Sequence, residues 1–524
     1  MDKTVLTILL IFICASMGFV AFTERSPRAD FVIINGAEPE TLDPAIMTGV
    51  LEGRIADALF EGLTVPHPKT LDPLPGMAER WTITDDGRTY TFHIRKARWS
   101  NGDPVTAHDF VYSWRRALAP ATASEYAYML YYLENGEAYN KGELTDPAKV
   151  GVRAIDDMTL EAKLARRTPF FLGLTSFSTL MPVNRRCIEK HGNTWTHMGN
   201  IVTNGPFMLG DWKIGRYIRV KKNPGYHDAD KVRLNSVDFL AVESANTAFN
   251  MYLNGEADFV ATIPLPLRPV VEDRPDYHTG PYIGTYYYLF NVRRKPFDDA
   301  RVRRAFAMTV DREQICRYIT RGGELPATSF VPAGMPHYKS IKGLSLHVDA
   351  ARRLLAEAGY PDGKGFPKVE LLYNTSEANQ DIAEVIQQML KTNLGVRVEL
   401  MNQEWKVYLA STKEGDYQFA RAAWIGDYVD PNTFLDMWVT GGGNNRAGWS
   451  NPEYDALIRG AAAEGDPEKR MEIFRRAERI LIEEEAPIMP VYYYVSNEMY
   501  RPEVKGMYAN IRNIHPLKFV SVER

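Results

Sequence analysis

The sequence predicts an α/β fold built on an open, partly parallel sheet, and three observations predict it. Short β-rich runs alternate with amphipathic helical stretches along the chain. Between Val369 and Asp427 they form a strand–helix–strand unit, a connection that is right-handed in almost every known sheet. Composition is that of an ordinary globular chain, 45% hydrophobic and 24% charged, and 524 residues suffice for about three domains. The same numbers exclude a disordered chain, a polytopic membrane protein and a fibrous repeat. A net charge of −4 lacks the basic excess of a nucleic-acid binder, so no nucleic-acid partner is expected.

The N-terminal 30 residues read as an export segment and linker. An 18-residue apolar run opens at Val5 and closes at Phe22, the lower limit for a membrane span. The polar stretch from Thr23 to Arg28 follows as a linker. A small-x-small cleavage site is weak here, with Ala21 and Thr23 as the best pair. Ile13 and Phe12 precede Cys14, so the small residue that lipidation needs is missing. Export is expected; whether the run is removed or stays as a membrane tether is open.

Residues 29–35 form a strand stopped by Gly36, and residues 89–94 alternate as a second strand. Thr106 and Asp109 make a capping box before a helix whose apolar face is Phe110, Trp114 and Leu118. Residues 369–373 form a buried strand, and residues 377–393 a helix with Ile382, Ile386 and Met389 inward, stopped by Gly395. Strands follow at 396–400 and 417–424. Residues 467–484 give an amphipathic helix, and residues 490–495 a strand with Tyr492 and Tyr494 on one face and Tyr493 on the other.

Catalytic signatures are missing. There is no GxSxG elbow, HExxH pair, phosphate loop or dinucleotide fingerprint, and the ten histidines are scattered. No metal, cofactor or enzymatic activity is expected. Gly441 to Asn445 reads as a flexible surface loop, Glu483 to Glu485 as a solvated helix end, and the arginines between Arg293 and Arg304 as a solvated, self-paired run. Cys14, Cys187 and Cys316 cannot build a disulfide framework, and only Cys187 with Cys316 could pair in the folded body. The 28 tyrosines and 9 tryptophans suit a ligand-lined cleft as well as a core. Ligands of open α/β sheets bind beyond the carboxyl ends of strands. Those ends are Asn374 and Thr375, Asn402 and Gln403, and Ile425 to Asp427. Asp427 at such an end would hold a cation or act as a plain turn aspartate.

Seven segments in matching order carry a family likeness: 98–114 (RWSNGDPVTAHDFVYSW), 200–205 (NIVTNG), 285–288 (TYYY), 371–376 (LLYNTS), 402–406 (NQEWK), 420–428 (ARAAWIGDY) and 490–495 (PVYYYV). The chain from about Phe31 onward resembles the periplasmic oligopeptide-binding proteins of bacterial ABC peptide transporters, solute-binding protein family 5. The resemblance implies a two-lobed periplasmic-binding-protein fold with a hinge and an additional inserted α/β domain. Carried over, lobe I is 31–60, 186–283 and 495–524, the insert 61–185, and lobe II 284–494. It implies a monomer that closes on an extended oligopeptide and delivers it to an inner-membrane ABC permease. A relative specialised for murein peptides or another small ligand is the alternative.

By the same resemblance Asp427 binds the peptide α-amine, and Arg421 lies near its carboxylate or backbone. Trp405, Trp424, Ala423, Ile425 and Tyr494 match wall positions, as do Gly49 and Val50 from lobe I. Two departures stand out. Where the family's peptide binder carries basic or imidazole groups for short ligands' carboxylates, this chain has Thr412 and Asn379, and Arg294 alone keeps a cation. Gly284 and Ile425 occupy the places of the family's usual disulfide.

Overall fold

A computed structural model describes residues 27–168, 170–333, 335 and 337–524. The apolar run at 5–22, with Cys14, lies outside the described residues. No helix among them is long and apolar enough to cross a membrane.

The chain opens with β1 (Phe31–Gly36) and α1 (Val50–Leu59). β1 is buried on both faces, which is why its apolar run does not alternate. A separate antiparallel sheet follows, from β2 (Ala78–Ile83), β3 (Thr89–Ile94), β4 (Val152–Asp156) and β5 (Thr159–Lys163), in the order β2-β3-β5-β4. β3 alternates as read, burying Tyr90, Phe92 and Ile94. α2 (Ala107–Leu118) packs on β4 and β5 and carries the expected capping box, with the Thr106 N–H donating to Asp109 Oδ2 at 2.7 Å.

Nine further strands join β1 in one large sheet. They are β6 (Phe207–Lys213), β7 (Tyr217–Lys222), β8 (Ser236–Ala241), β9 (Phe259–Val260), β10 (Tyr277–Phe290), β11 (Val369–Asn374), β12 (Val398–Gln403), β13 (Phe419–Ile425) and β14 (Ile488–Tyr500). Their order is β12-β11-β13-β10-β14-β9-β1-β8-β7-β6, with Leu325–Pro326 adding to β14. The helices that matter below are α3 (Ala245–Leu253), α4 (Glu377–Leu394), α5 (Trp405–Glu414) and α6 (Pro467–Arg479).

The strand–helix–strand unit is β11-α4-β12, parallel in register from Val369 opposite Val398 to Asn374 opposite Gln403. Gly395 ends α4 in the left-handed region at φ +70°, where a Cβ would be strained. β10 and β14 pair antiparallel from Tyr277 opposite Met499 to Leu289 opposite Ile488, so both strands run through the two halves of the sheet. Their register slips between Pro281 and Thr285.

Four readings need correction. β14 runs on to Tyr500, because its polar residues find buried partners: the Asn497 amide donates to Gly322 O at 3.0 Å, and Asn513 donates to Glu498 at 3.2 Å. The helical stretch at 467–484 is α6 followed by a wider π turn, Ile480–Glu484. The glycine-rich loop is pinned rather than loose, since the Asn445 amide donates to the carbonyls of Trp438, Val439 and Trp449 at 3.1, 3.1 and 2.8 Å. In the arginine run, Arg303 is buried, donating to Phe297 O at 2.8 Å and Glu485 O at 2.9 Å. Cys187 and Cys316 are both free thiols in different cores.

Candidate functional site

A cavity of about 550 Å³ opens where the β10–β14 register slips, at the carboxyl end of β13 and the N-terminus of α1. Each wall follows from local sequence. Gly49 is the N-cap of α1, and the Glu52 carboxylate folds back over it, so a Cβ at 49 would collide with Glu52 Oε2. Val50, Arg54 and Asp57 then face the cavity from α1. From the opposite side, Trp405 at the start of α5 donates its indole N–H to Glu52 Oε1 at 3.4 Å. Burial raises the pKa of Glu52, whose Oε2 has no partner among the described residues.

β13 supplies Arg421, Ala423, Trp424 and Ile425 to the same cavity. Its ladder to β11 covers Phe419 and Ala420 and then stops, which leaves that edge of Ala422 to Ile425 without a strand partner. The Arg421 guanidinium donates to Asn374 Oδ1 at 3.2 Å and to the Tyr494 hydroxyl at 3.0 Å, and lies 4.7 Å over the Tyr286 ring. No acid neutralises it among the described residues. Trp424 is fixed by its indole N–H to Thr433 O at 2.7 Å and stacks on Tyr126 at 6.0 Å.

Asp427 stands just past the end of β13, 9% exposed. Its backbone N–H donates to the Thr433 hydroxyl at 3.0 Å, and its Oδ2 is buried without a partner among the described residues. Burial pushes its pKa up to about 7, against the opposing field of Arg512 and the Thr433 hydroxyl. A carboxylate so placed is short of one positive, hydrogen-bond-donating partner.

The cavity therefore gathers Gly49, Val50, Trp405, Arg421, Ala423, Trp424, Ile425, Asp427 and Tyr494. Arg294 does not belong to it. It follows β10 beyond Phe290, about 20 Å along the strand from Gly284 at the cleft end. There it is 45% exposed and pairs with Asp416 at 3.1 Å. Asn379 turns its amide to Asn374 at 3.1 Å. Thr412 accepts from Arg446 at 2.9 Å, and Arg446 reaches the cavity in its stead. Gly284 and Ile425 sit opposite each other across the β10–β13 ladder, and the Ile425 side chain fills the space a Cβ at 284 would take.

Sequence reasoning missed Arg54 and Asp57, Tyr126, Asn444 and Arg446, and Arg512. The first pair sits one helical turn apart on α1, a spacing that also describes any surface helix. Asn444 and Arg446 follow the glycine run that was read as loose. Arg512 lies in a C-terminal segment without regular structure, and no local pattern marks it.

The model for bacterial extracellular solute-binding proteins, family 5, matches residues 72–446. The periplasmic oligopeptide-binding protein OppA of Salmonella typhimurium is 37% identical over 500 residues, covering 93% of this chain and 91% of that one. The Haemophilus influenzae OppA complex with the peptide RPPGFSPFR superposes with a TM-score of 0.91 at 34% identity, over 95% of this chain and 100% of its own. The Escherichia coli murein tripeptide binding protein MppA also gives 0.91, at 35% identity over 95% of this chain and 99% of its own. Against an unliganded open form of MppA the score falls to 0.62, at the same identity and with 95% and 98% covered. The chain therefore belongs to family 5 of the bacterial extracellular solute-binding proteins and has that family's two-lobed α/β fold.

Proposed function

We propose that this chain is an exported receptor that closes two lobes on an oligopeptide and hands it to an inner-membrane ABC permease, acting as a monomeric carrier and not as an enzyme. The periplasm is its compartment, with residues 5–22 as a tether if they stay uncut. Lobe I is 31–60, 186–283 and 495–524, the insert is 61–185 and lobe II is 284–494. The separate sheet of β2 to β5 supports the insert, and the passage of β10 and β14 between halves supports a hinge near residues 281–285.

Asp427 carries the reading. A buried carboxylate with a partnerless Oδ2, at a strand end facing a cavity, matches a peptide's α-ammonium in charge and hydrogen bonding. The unpaired edge of β13 offers an extended backbone main-chain hydrogen bonds. Arg421 has tyrosine and asparagine partners but no acid, which suits a ligand carboxylate or carbonyl. None of these features selects side chains, and their sum is a receptor of broad sequence tolerance.

A calorimetric double cycle with tri- to pentapeptides tests the amine anchor. Removing one member of a buried ion pair typically costs about 2–5 kcal/mol, roughly 30- to several-thousand-fold in affinity. Asp427→Ala and N-acetylation of the peptide should each cause such a loss, and the two losses should not add, since they break one contact. Equal binding of free and acetylated peptides by the unaltered protein would overturn the amine anchor and the peptide reading with it.

A further inference from the structure

The amine anchor has a cation already beside it. Arg512 lines the cleft, and its field acts on two acids, Asp427 on the lobe II side and Asp57 on α1. Its guanidinium makes no hydrogen bond or ion pair among the described residues, and its backbone N–H is what engages Asn510 Oδ1 at 3.2 Å. It comes within 4.0 Å of neither carboxylate, so it is committed to neither. The other cleft arginines have partners of their own, Arg421 donating to Asn374 at 3.2 Å and to Tyr494 at 3.0 Å. Arg446 pairs with Glu125 at 2.9 Å, and Arg54 donates to Asn35 at 3.0 Å within the field of Glu498.

Charge balance among Asp427, Arg512 and Asp57 then bears on how the anchor meets an ammonium. Asp427 with Arg512 alone is a neutral pair, with no net field for an incoming ammonium. Adding Asp57 leaves a net charge of one unit negative, the complement of a single ammonium. We propose that Asp57 is a positioning residue for ligand recognition: its charge balances the pull of Asp427 on Arg512 and keeps the guanidinium off the anchor, so that the ligand's α-ammonium and not the protein's own guanidinium completes the buried pair. Arg512 is thus an internal competitor for the anchor, and Asp57 is what disarms it. Burial raises the Asp57 carboxyl to about 6, the state of an acid whose cation is near but not bonded. Loss of Asp57 would free Arg512 to move to Asp427, where it would both occupy the carboxylate and repel the ligand.

This inference rests on the peptide reading, and its test separates the two. Free and N-acetylated forms of one tripeptide are titrated into the unaltered protein, Asp57→Asn, Arg512→Gln and the double variant. Asp57→Asn should weaken the free peptide on the order of tenfold and shift the acetylated one less than about twofold. Adding Arg512→Gln to Asp57→Asn should restore most of the loss, because the competitor is gone. A misfolded Asp57 variant would lose both peptides together and would not be rescued by a second substitution. If the free-to-acetylated ratio survives Asp57→Asn, or if Arg512→Gln fails to restore it, the inference is overturned while the peptide reading stands. Should the unaltered protein show no such ratio, the peptide reading itself has failed.

Discussion

Asp427 makes closing the empty cleft costly, and the sign of that cost can be measured. In the closed structure its pKa is about 7, above its ordinary value of 3.8, because burial opposes the charge. An open cleft would hydrate it and return it toward that ordinary value. The closed empty form therefore binds a proton the open form has released. Closing without ligand is unhindered below about pH 4, grows harder as pH rises to about 7, and carries its full penalty above that. The penalty is on the order of 1–4 kcal/mol. Asp427→Asn should thus do two opposite things at pH 8: lose the affinity for free-amine peptides, and raise the closed fraction of the empty protein. Distance measurements between spin labels on the two lobes would read the second effect, and an unchanged distribution would count against it. Asp427 was legible as a cavity residue because ligands of α/β sheets bind at strand ends, while its reading as an amine holder over a turn aspartate came from the family resemblance. Asp57 and Arg512 were not, since each lies about 85 residues or more from Asp427 in sequence and only folding brings them to it. Arg294 misled because a cation matched by position can still sit at the far end of its strand.

Among the elements, the junction between α3 and α4 ties the two halves of the sheet together. Glu377 in the first turn of α4 accepts from the Ser244 hydroxyl at 3.0 Å and from the Asn246 N–H at 3.3 Å. Its carboxylate thus meets the open N–H groups at the start of α3, where the helix dipole favours an anion. On the proposed lobe division this contact joins lobe I to lobe II, so its effect is expected on closure and not on the fold of either lobe. Glu377→Ala should weaken peptide binding about 2- to 10-fold, mostly by faster release, in line with about 0.5–1.5 kcal/mol per such hydrogen bond. Stopped-flow release kinetics would check this, and a slower association with unchanged release would count against a latch. The elements themselves were largely legible where periodicity is strong. β11-α4-β12 and the Thr106 capping box came straight from apolar spacing and cap chemistry. The end of β14 did not, because Ser496, Asn497 and Glu498 look like a loop until their buried partners are known. The pinned loop before Arg446 hid for the same reason: glycine announces freedom, and Asn445 takes it away.

At the scale of the molecule, the question is what a ligand must supply to hold the lobes shut. The agreement at 0.91 with a peptide complex of OppA, against 0.62 for an unliganded open form of MppA, sets this structure apart from that open shape. Contacts that join the two sides include Glu377 with α3, Trp405 with Glu52, Tyr126 on Trp424, Arg446 with Glu125, and Tyr132 with Tyr428 and Asn432. Buried Glu52 and Asp427, each with a partnerless oxygen, work against them. Moving such an equilibrium from 1:99 to 99:1 takes about 5.5 kcal/mol of preferential binding to the closed form. An ion pair at Asp427, at about 2–5 kcal/mol, falls short of that by itself. Backbone hydrogen bonds along the open edge of β13, at about 0.5–1.5 kcal/mol each, make up the difference once two or three residues lie against it. A single amino-acid amide has the amine and no further backbone, whereas a tripeptide has both. Small-angle scattering should therefore show the tripeptide contracting the protein, and the amide leaving it extended even at concentrations that fill the amine site. Trp405 and Trp424 lie on the closing surfaces, so their fluorescence should change with the tripeptide and hardly at all with the amide. Full contraction by the amide would assign closure to the ion pair alone, and no contraction by the tripeptide would leave the unpaired strand edge without the role argued for it.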